Sequence, residues 1–94
     1  MKNKLELTHI LSRNHTILIS QIDEESVLFD PKEGLYLGLD RIGSRIWTHL
    51  NTPISVQTLI EKLTDEFEIS KTACLDDITP FLTTLIEKHF VICN

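Results

Sequence analysis

The side chains here that could do covalent or metal chemistry are four histidines, two cysteines and a pair of adjacent acids. His9, His15, His49 and His89 are scattered over predicted turns and helix ends. That is where surface histidines sit, not where a general base is held against a nucleophile. His89 and Cys93 are four residues apart with only Cys74 elsewhere to join them, short of the four convergent ligands of a structural zinc site. No G-x-S-x-G, P-loop, H-E-x-x-H or C-x-x-C occurs. The expectation is therefore no catalytic residue, no metal and no cofactor. Cys74 falls on an apolar helical stripe and reads as a small buried hydrophobe. Both thiols read as reduced, which points to the cytoplasm. Asp76 and Asp77 open a predicted helix, where negative charge is favourable; alternatively they form an acidic lip that attracts a basic peptide. Trp47 reads as a core anchor.

What remains is the chemistry of the backbone, and one segment exposes it. Leu35, Leu37 and Leu39 alternate with Tyr36 and Gly38, a period of two. In the meander described next this segment is an edge strand, apolar, with no Lys, Glu or Pro to block pairing. Natural edges are usually protected. An open edge beside an apolar helix can take an extended peptide as an added strand, with backbone hydrogen bonds for affinity and pockets for alternate side chains.

The elements that must position this edge follow from the surrounding pattern. Met1–Leu5 reads as frayed, Leu7–Leu11 as a short extended piece and Arg13–His15 as a turn, so residues 1–15 form a partly extended or disordered segment. Thr16–Ile22 is β-branched and reads as a strand. After the charged turn Asp23-Glu24-Glu25 come Ser26–Asp30, the turn Asp30-Pro31-Lys32-Glu33-Gly34, and Leu35–Leu39. Asp40 is an N-cap for a helix carrying Ile42, Ile46, Trp47 and Leu50. Pro53 closes it off, and Ser55 caps a second helix with Val56, Leu59, Ile60, Leu63 and Phe67 on one face. Ser70 caps a third, Lys71 to about His89, with Cys74, Leu75, Ile78, Phe81, Leu82, Leu85 and Ile86 as a broad stripe. Pro80 is predicted to kink or split this helix near Asp76–Thr79. Phe90–Cys93 is an apolar tail that packs back. Strands followed by helices predict an α+β fold, a three-stranded antiparallel sheet followed by three helices.

Ninety-four residues with a net charge of −5 make one domain, residues 1–94. The charge opposes a nucleic-acid surface, which is usually basic. No apolar run is long enough to span a membrane.

The run V-L-F-D-P-K-E-G-L-Y-L-G-L-D-R-I-G-S-R-I-W-T-H-L closely resembles the core of the pyrroloquinoline quinone biosynthesis protein D family. The motif falls on Val27–Phe29, Gly34, Tyr36, Leu39, Gly43, Ile46, Trp47 and Leu50. The later spacing fits at Pro53, Val56, Leu59, Leu63, Ile78, Phe81, Leu82, Leu85 and Phe90-Val91. The similarity spans about Thr16 to Ile92 and departs at Pro80 and at His89-Phe90, where members commonly have a Gly. The resemblance implies a winged-helix-like domain that recognises leader peptides of ribosomally made, post-translationally modified peptides. The leader would add as a strand on Leu35, Tyr36, Leu37, Gly38 and Leu39. Ile78, Phe81, Leu82, Leu85 and Ile86 would form the helical wall, with Asp76 and Asp77 at its lip. Which of these face peptide and which face core is left open. The implied partners are a precursor leader peptide and a processing enzyme. That enzyme is either the cysteine protease and cyclase of a lasso-peptide pathway, favoured by the stand-alone length and long opening segment, or a radical SAM enzyme acting on a quinone-precursor peptide. The chain is expected to work as a monomer or weak dimer. A winged-helix DNA-binding protein is the rival class, opposed by the acidic start of the third helix, where a reading helix carries Arg, Lys, Asn or Gln.

Overall fold

The structure, a computed structural model, describes residues 5–94. Nine elements follow in order: β1 (Ile10–Arg13), β2 (Leu18–Ile22), β3 (Glu25–Asp30), β4 (Leu35–Leu39), α1 (Arg41–His49), β5 (Ile54–Ser55), α2 (Val56–Phe67), α3 (Lys71–Glu87) and β6 (Val91–Cys93). The frayed start predicted for Met1–Leu5 lies outside the described residues up to Lys4, and Leu5 itself packs half-buried on the core.

The predicted meander is present as the antiparallel sheet β2–β3–β4, with Leu18 opposite Phe29 and Ser26 opposite Leu39. β4 has its predicted bounds, while β2 and the central strand β3 differ slightly from prediction. β2 starts at Leu18 because Asn14 holds a turn before it, its side chain accepting from the Thr16 N–H at 3.1 Å and the Thr16 hydroxyl at 2.9 Å. Glu25 joins β3 rather than the turn, and Asp23 alone takes the left-handed backbone, at φ 56°.

A second antiparallel sheet, β5–β1–β6, was not predicted. Its strand β1 is offset from the expected Leu7–Leu11, because Glu6–His9 forms a turn through the His9 N–H to Glu6 carbonyl bond and the Glu6 N–H to His9 Nδ1 bond. Leu11 lies opposite both Ile54 and Cys93. Strands of two and three residues have too few positions to show a period, so β5 reads as a helix lead-in and β6 as a tail.

All three predicted helix caps hold. The side chains of Asp40, Ser55 and Ser70 accept from the Gly43, Thr58 and Ala73 N–H groups. Pro80 does not split α3, which is continuous from Lys71 to Glu87. Its ring and Asp76, whose carbonyl loses a donor, are both on the exposed face, where that carbonyl is open to solvent. The neighbouring Thr79 and Thr84 hydroxyls donate to the Leu75 and Pro80 carbonyls at 2.6 and 3.0 Å. The helix stops before His89 because that residue turns left-handed, at φ 63°. This is the position where the resembling family commonly has Gly, which reaches that backbone without steric cost.

One core joins the layers. Leu11, Leu28, Leu39, Trp47, Leu50, Leu59, Leu63, Leu82, Leu85 and Phe90 are buried in a single cluster, each contributing roughly 1.5–3 kcal/mol through burial. Trp47 is 1% exposed. Arg13 lies over its ring at 4.9 Å and donates to its carbonyl at 2.7 Å, tying β1 to α1. A second tie is buried: the Ser26 and Ser44 hydroxyls are 2.8 Å apart, fastening β3 to α1.

Candidate functional site

The site is built from the β3–β4 turn outward. The Asp30 carboxylate accepts from the Lys32 N–H at 3.0 Å and the Glu33 N–H at 3.3 Å, and the Gly34 N–H donates to the Asp30 carbonyl at 2.7 Å. Gly34 sits at φ 70°, where a Cβ is strained. This turn fixes the register from Asp30–Leu35 to Ser26–Leu39. β4 then ends at Asp40, which caps α1, so the strand and the helix beneath it are set by consecutive local signals.

β4 pairs with β3 on one side, and among the described residues no strand pairs with its other side. Backbone groups on an edge alternate in direction, so every second N–H and C=O of Leu35–Leu39 points outward. Tyr36 and Gly38 lie on the outer face of the sheet. Tyr36 is 72% exposed with its ring on Phe29, centroids 4.5 Å apart. A Cβ at Gly38 would meet nothing within 4 Å. Leu35, Leu37 and Leu39 share the inner face with Leu28, and their burial deepens along the strand from exposed through half-buried to 3% exposed.

Just beyond the end of β4, a groove of about 370 Å³ runs between the start of α1 and the middle of α3. Asp40, Ile42, Gly43 and Ile46 form one wall, and Asp77, Ile78 and Phe81 the other. The walls approach closely at Gly43, where an added Cβ would stand 3.2 Å from Phe81 Cζ.

The structure divides the residues whose facing the sequence left open. Leu39, Ile78, Leu82 and Leu85 belong to the core, the last two with no exposed surface. Leu37, Phe81 and Ile86 are half-buried against it. Leu35, Tyr36, Gly38, Asp76 and Asp77 are exposed; Asp77 reaches the groove, and Asp76 is not among its lining residues. Sequence reasoning missed Ile42 as a groove wall. The available signal was its place at the very start of α1, on the apolar stripe beside the N-cap Asp40; it is 37% exposed.

The chemistry of the remaining groups is quiet. Burial pushes the Cys74 thiol up, with a smaller contribution from the Asp77 charge, and burial pushes Cys93 up as well. Both shifts disfavour the thiolate, the form that acts as nucleophile or metal ligand. Among the described residues, no group of three or more His, Cys, Asp or Glu could hold a metal ion, and no helix is long and apolar enough to cross a membrane. The arrangement offers an open strand edge leading into an apolar groove with acids at its rim.

Two of three comparisons with known proteins find a match. No curated protein matches the chain. Among solved structures, it is similar to TbiB1 in complex with the TbiA(beta) leader peptide. The TM-score is 0.77 at 28% identity, covering 85% of this chain and 93% of that one. The family model for coenzyme PQQ synthesis protein D (PqqD) matches residues 25–91, from the first residue of β3 to the first of β6. That span holds β4, the groove and the whole helical layer, and the chain belongs to the PqqD family.

Proposed function

We propose that this protein binds the leader of a ribosomally made precursor peptide as an added strand on β4 and holds it for a processing enzyme, without itself catalysing a reaction. The observation that carries this reading is the five-residue β4 edge, free of Lys, Glu and Pro and leading into the α1–α3 groove. Its likeness to TbiB1, whose structure contains a leader peptide, supports it. The leader's backbone pairs with the outward groups of Leu35–Leu39. Its inner side chains meet Leu35, Leu37 and Phe81 and continue into the groove beside Ile42, while Asp77 favours a basic residue there. Buried Ile78, Leu82 and Leu85 support this surface from below. Holding a substrate beside an enzyme raises its local concentration to about millimolar for a short flexible tether, and that is the whole contribution asked of the protein.

For the enzyme we favour the cysteine protease and cyclase of a lasso-peptide pathway; the alternative is a radical SAM enzyme. The genes beside this one decide between them. A duplex-DNA role has no support in the site, where the exposed start of α3 presents Asp76 and Asp77.

The test is titration of isotope-labelled protein with the leader from the adjacent precursor gene, followed by nuclear magnetic resonance. The largest amide shifts are expected on Leu35–Leu39, Ile42, Asp77 and Phe81 at one peptide per chain. Shifts confined to β2 or to α2 would refute the assignment.

A further inference from the structure

Among the described residues, the β2–β3–β4 sheet has a second open edge. β2 lies on the opposite side of β3 from β4, and all five of its residues are exposed: Leu18 at 56%, Ile19 at 44% and Ile22 at 67%, with Ser20 and Gln21 between them. It carries no charge and no proline, and its pairing with β3 is unbroken from Leu18–Phe29 to Ile22–Glu25, so no bulge twists it away. These are the devices that normally protect an edge, and β2 has none of them.

We propose that β2 pairs with β2 of a second copy of this chain, antiparallel about a twofold axis at Ser20, to give a six-stranded sheet. The strand is complementary to itself in this register. Leu18 falls opposite Ile22 of the other copy, Ile19 opposite Gln21, and Ser20 opposite Ser20. Leu18 and Ile22 share the outer face, since Phe29 and Glu25 opposite them are both out of the core. The two most exposed aliphatic side chains of the strand therefore cover each other twice, once on each side of the axis.

Charge selects the same arrangement. The acidic turn Asp23-Glu24 follows β2 directly. Parallel pairing would set the two turns side by side. Antiparallel pairing sets each turn beside the uncharged Thr16-Ile17 of the other copy. It keeps the two turns about six residues apart along the strands, roughly 20 Å at the usual rise, which exceeds the screening length of about 8 Å at physiological salt. Within each turn Glu24 is offset by Arg41 at 3.1 Å, so Asp23 carries most of the charge kept apart in this way. A twofold axis makes the interface isologous and closed, so pairing stops at two copies. Two strands of this length bury less than the standard interface of about 1,200–2,000 Å², so the dimer is expected to be concentration-dependent. It leaves both β4 edges free at the outer margins of the joined sheet, and it stands whether or not β4 takes a leader.

Sedimentation equilibrium of the full chain across roughly 0.01–2 mM, a range bracketing weak association, should show a monomer–dimer equilibrium. Ser20→Lys and Ser20→Glu each place like charges face to face on the axis and should each weaken it about fivefold. An equimolar mixture of the two should associate more tightly than either alone, because only this register brings Lys and Glu together. Ser20 is exposed, so the melting temperatures should match the parent, and that check separates lost pairing from lost folding. A parent chain monomeric throughout the range, or a mixture no tighter than its components, would overturn the proposal. Dissociation of the dimer by one equivalent of leader peptide would also overturn it, by showing that β2 is a peptide edge. Leader binding by the Ser20→Lys variant is expected to equal that of the parent, so failure at β4 and failure at β2 read out separately.

Discussion

In the β5–β1–β6 sheet the outer strands are two and three residues long; in the β2–β3–β4 sheet they are five residues each. The first sheet's central Leu11 has no exposed surface, and its β1–β6 ladder is prolonged at both ends by the reciprocal Ile10–Asn94 backbone bonds and by the Asn14 N–H to the Phe90 carbonyl. The second keeps only one face on the core, while Leu18, Ile22, Val27 and Tyr36 stand on the other. Short edges give an incoming strand little to pair with, and long uncharged ones invite it. One molecule thus contains a sheet closed by brevity and a sheet left open along both margins. The difference suggests that openness is a property of the second sheet and not of a small protein unable to cover itself.

The comparison breaks first if the closed part of the molecule proves soft. Trp47→Ala, at the point where α1 meets Arg13 of β1, should cost about 3–5 kcal/mol out of a total of roughly 5–15, seen as a large fall in melting temperature. An unchanged midpoint would mean the indole is not the anchor its burial indicates. Next, Leu11→Ala in the closed sheet should cost about 2–5 kcal/mol, whereas Ile22→Ala in the open sheet should stay within about 0.5 kcal/mol. Equal losses by chemical denaturation would erase the distinction between the sheets.

A smaller effect addresses what the open edge does. Proline scanned through Tyr36, Leu37 and Gly38 deletes one outward N–H wherever it is tolerated. Loss of a hydrogen bond of about 0.5–1.5 kcal/mol weakens leader binding about two- to tenfold, with circular dichroism and melting temperature little changed. If every folded variant binds like the parent, the leader lies elsewhere. The smallest expected effect is that of Asp76→Asn with Asp77→Asn: a modest loss of leader affinity that shrinks as salt rises, since exposed charges are screened beyond about 8–10 Å. Only Asp77 reaches the groove, so the single Asp77→Asn variant should account for most of it.

Which parts were legible in the sequence follows from the range of the forces involved. The bounds of β4 and all three N-caps were readable because their causes lie within a few residues: the Asp30–Gly34 turn, and Asp40, Ser55 and Ser70. The closed sheet was not, because Leu11 pairs with Cys93 from the other end of the chain, and a three-residue strand has no period to read. Of the two outcomes predicted at Pro80 the split does not occur: α3 runs on through it, with Pro80 and Asp76 on the exposed face, where the unpaired carbonyl is open to solvent. At the candidate site the stripe on α3 named the right helix. Its breadth hid that Ile78, Leu82 and Leu85 point into the core while Phe81 and Ile86 lie at the margin.

Gly43 gives the groove a gauge. A methyl group there would come within 3.2 Å of Phe81 Cζ and 3.3 Å of Asp40 Oδ1, and the tip of the Phe81 ring can give way by a few tenths of an ångström. Alanine is also the better helix former, by roughly 1 kcal/mol. The Asp40 carboxylate is less free to move than that ring, since it accepts from the Gly43 N–H at 2.8 Å as the cap of α1. What one absent carbon sets is the clearance between the two walls. On the proposed reading of this groove as part of a leader site, exchanges at Gly43 and Phe81 are expected to alter which guest side chains fit.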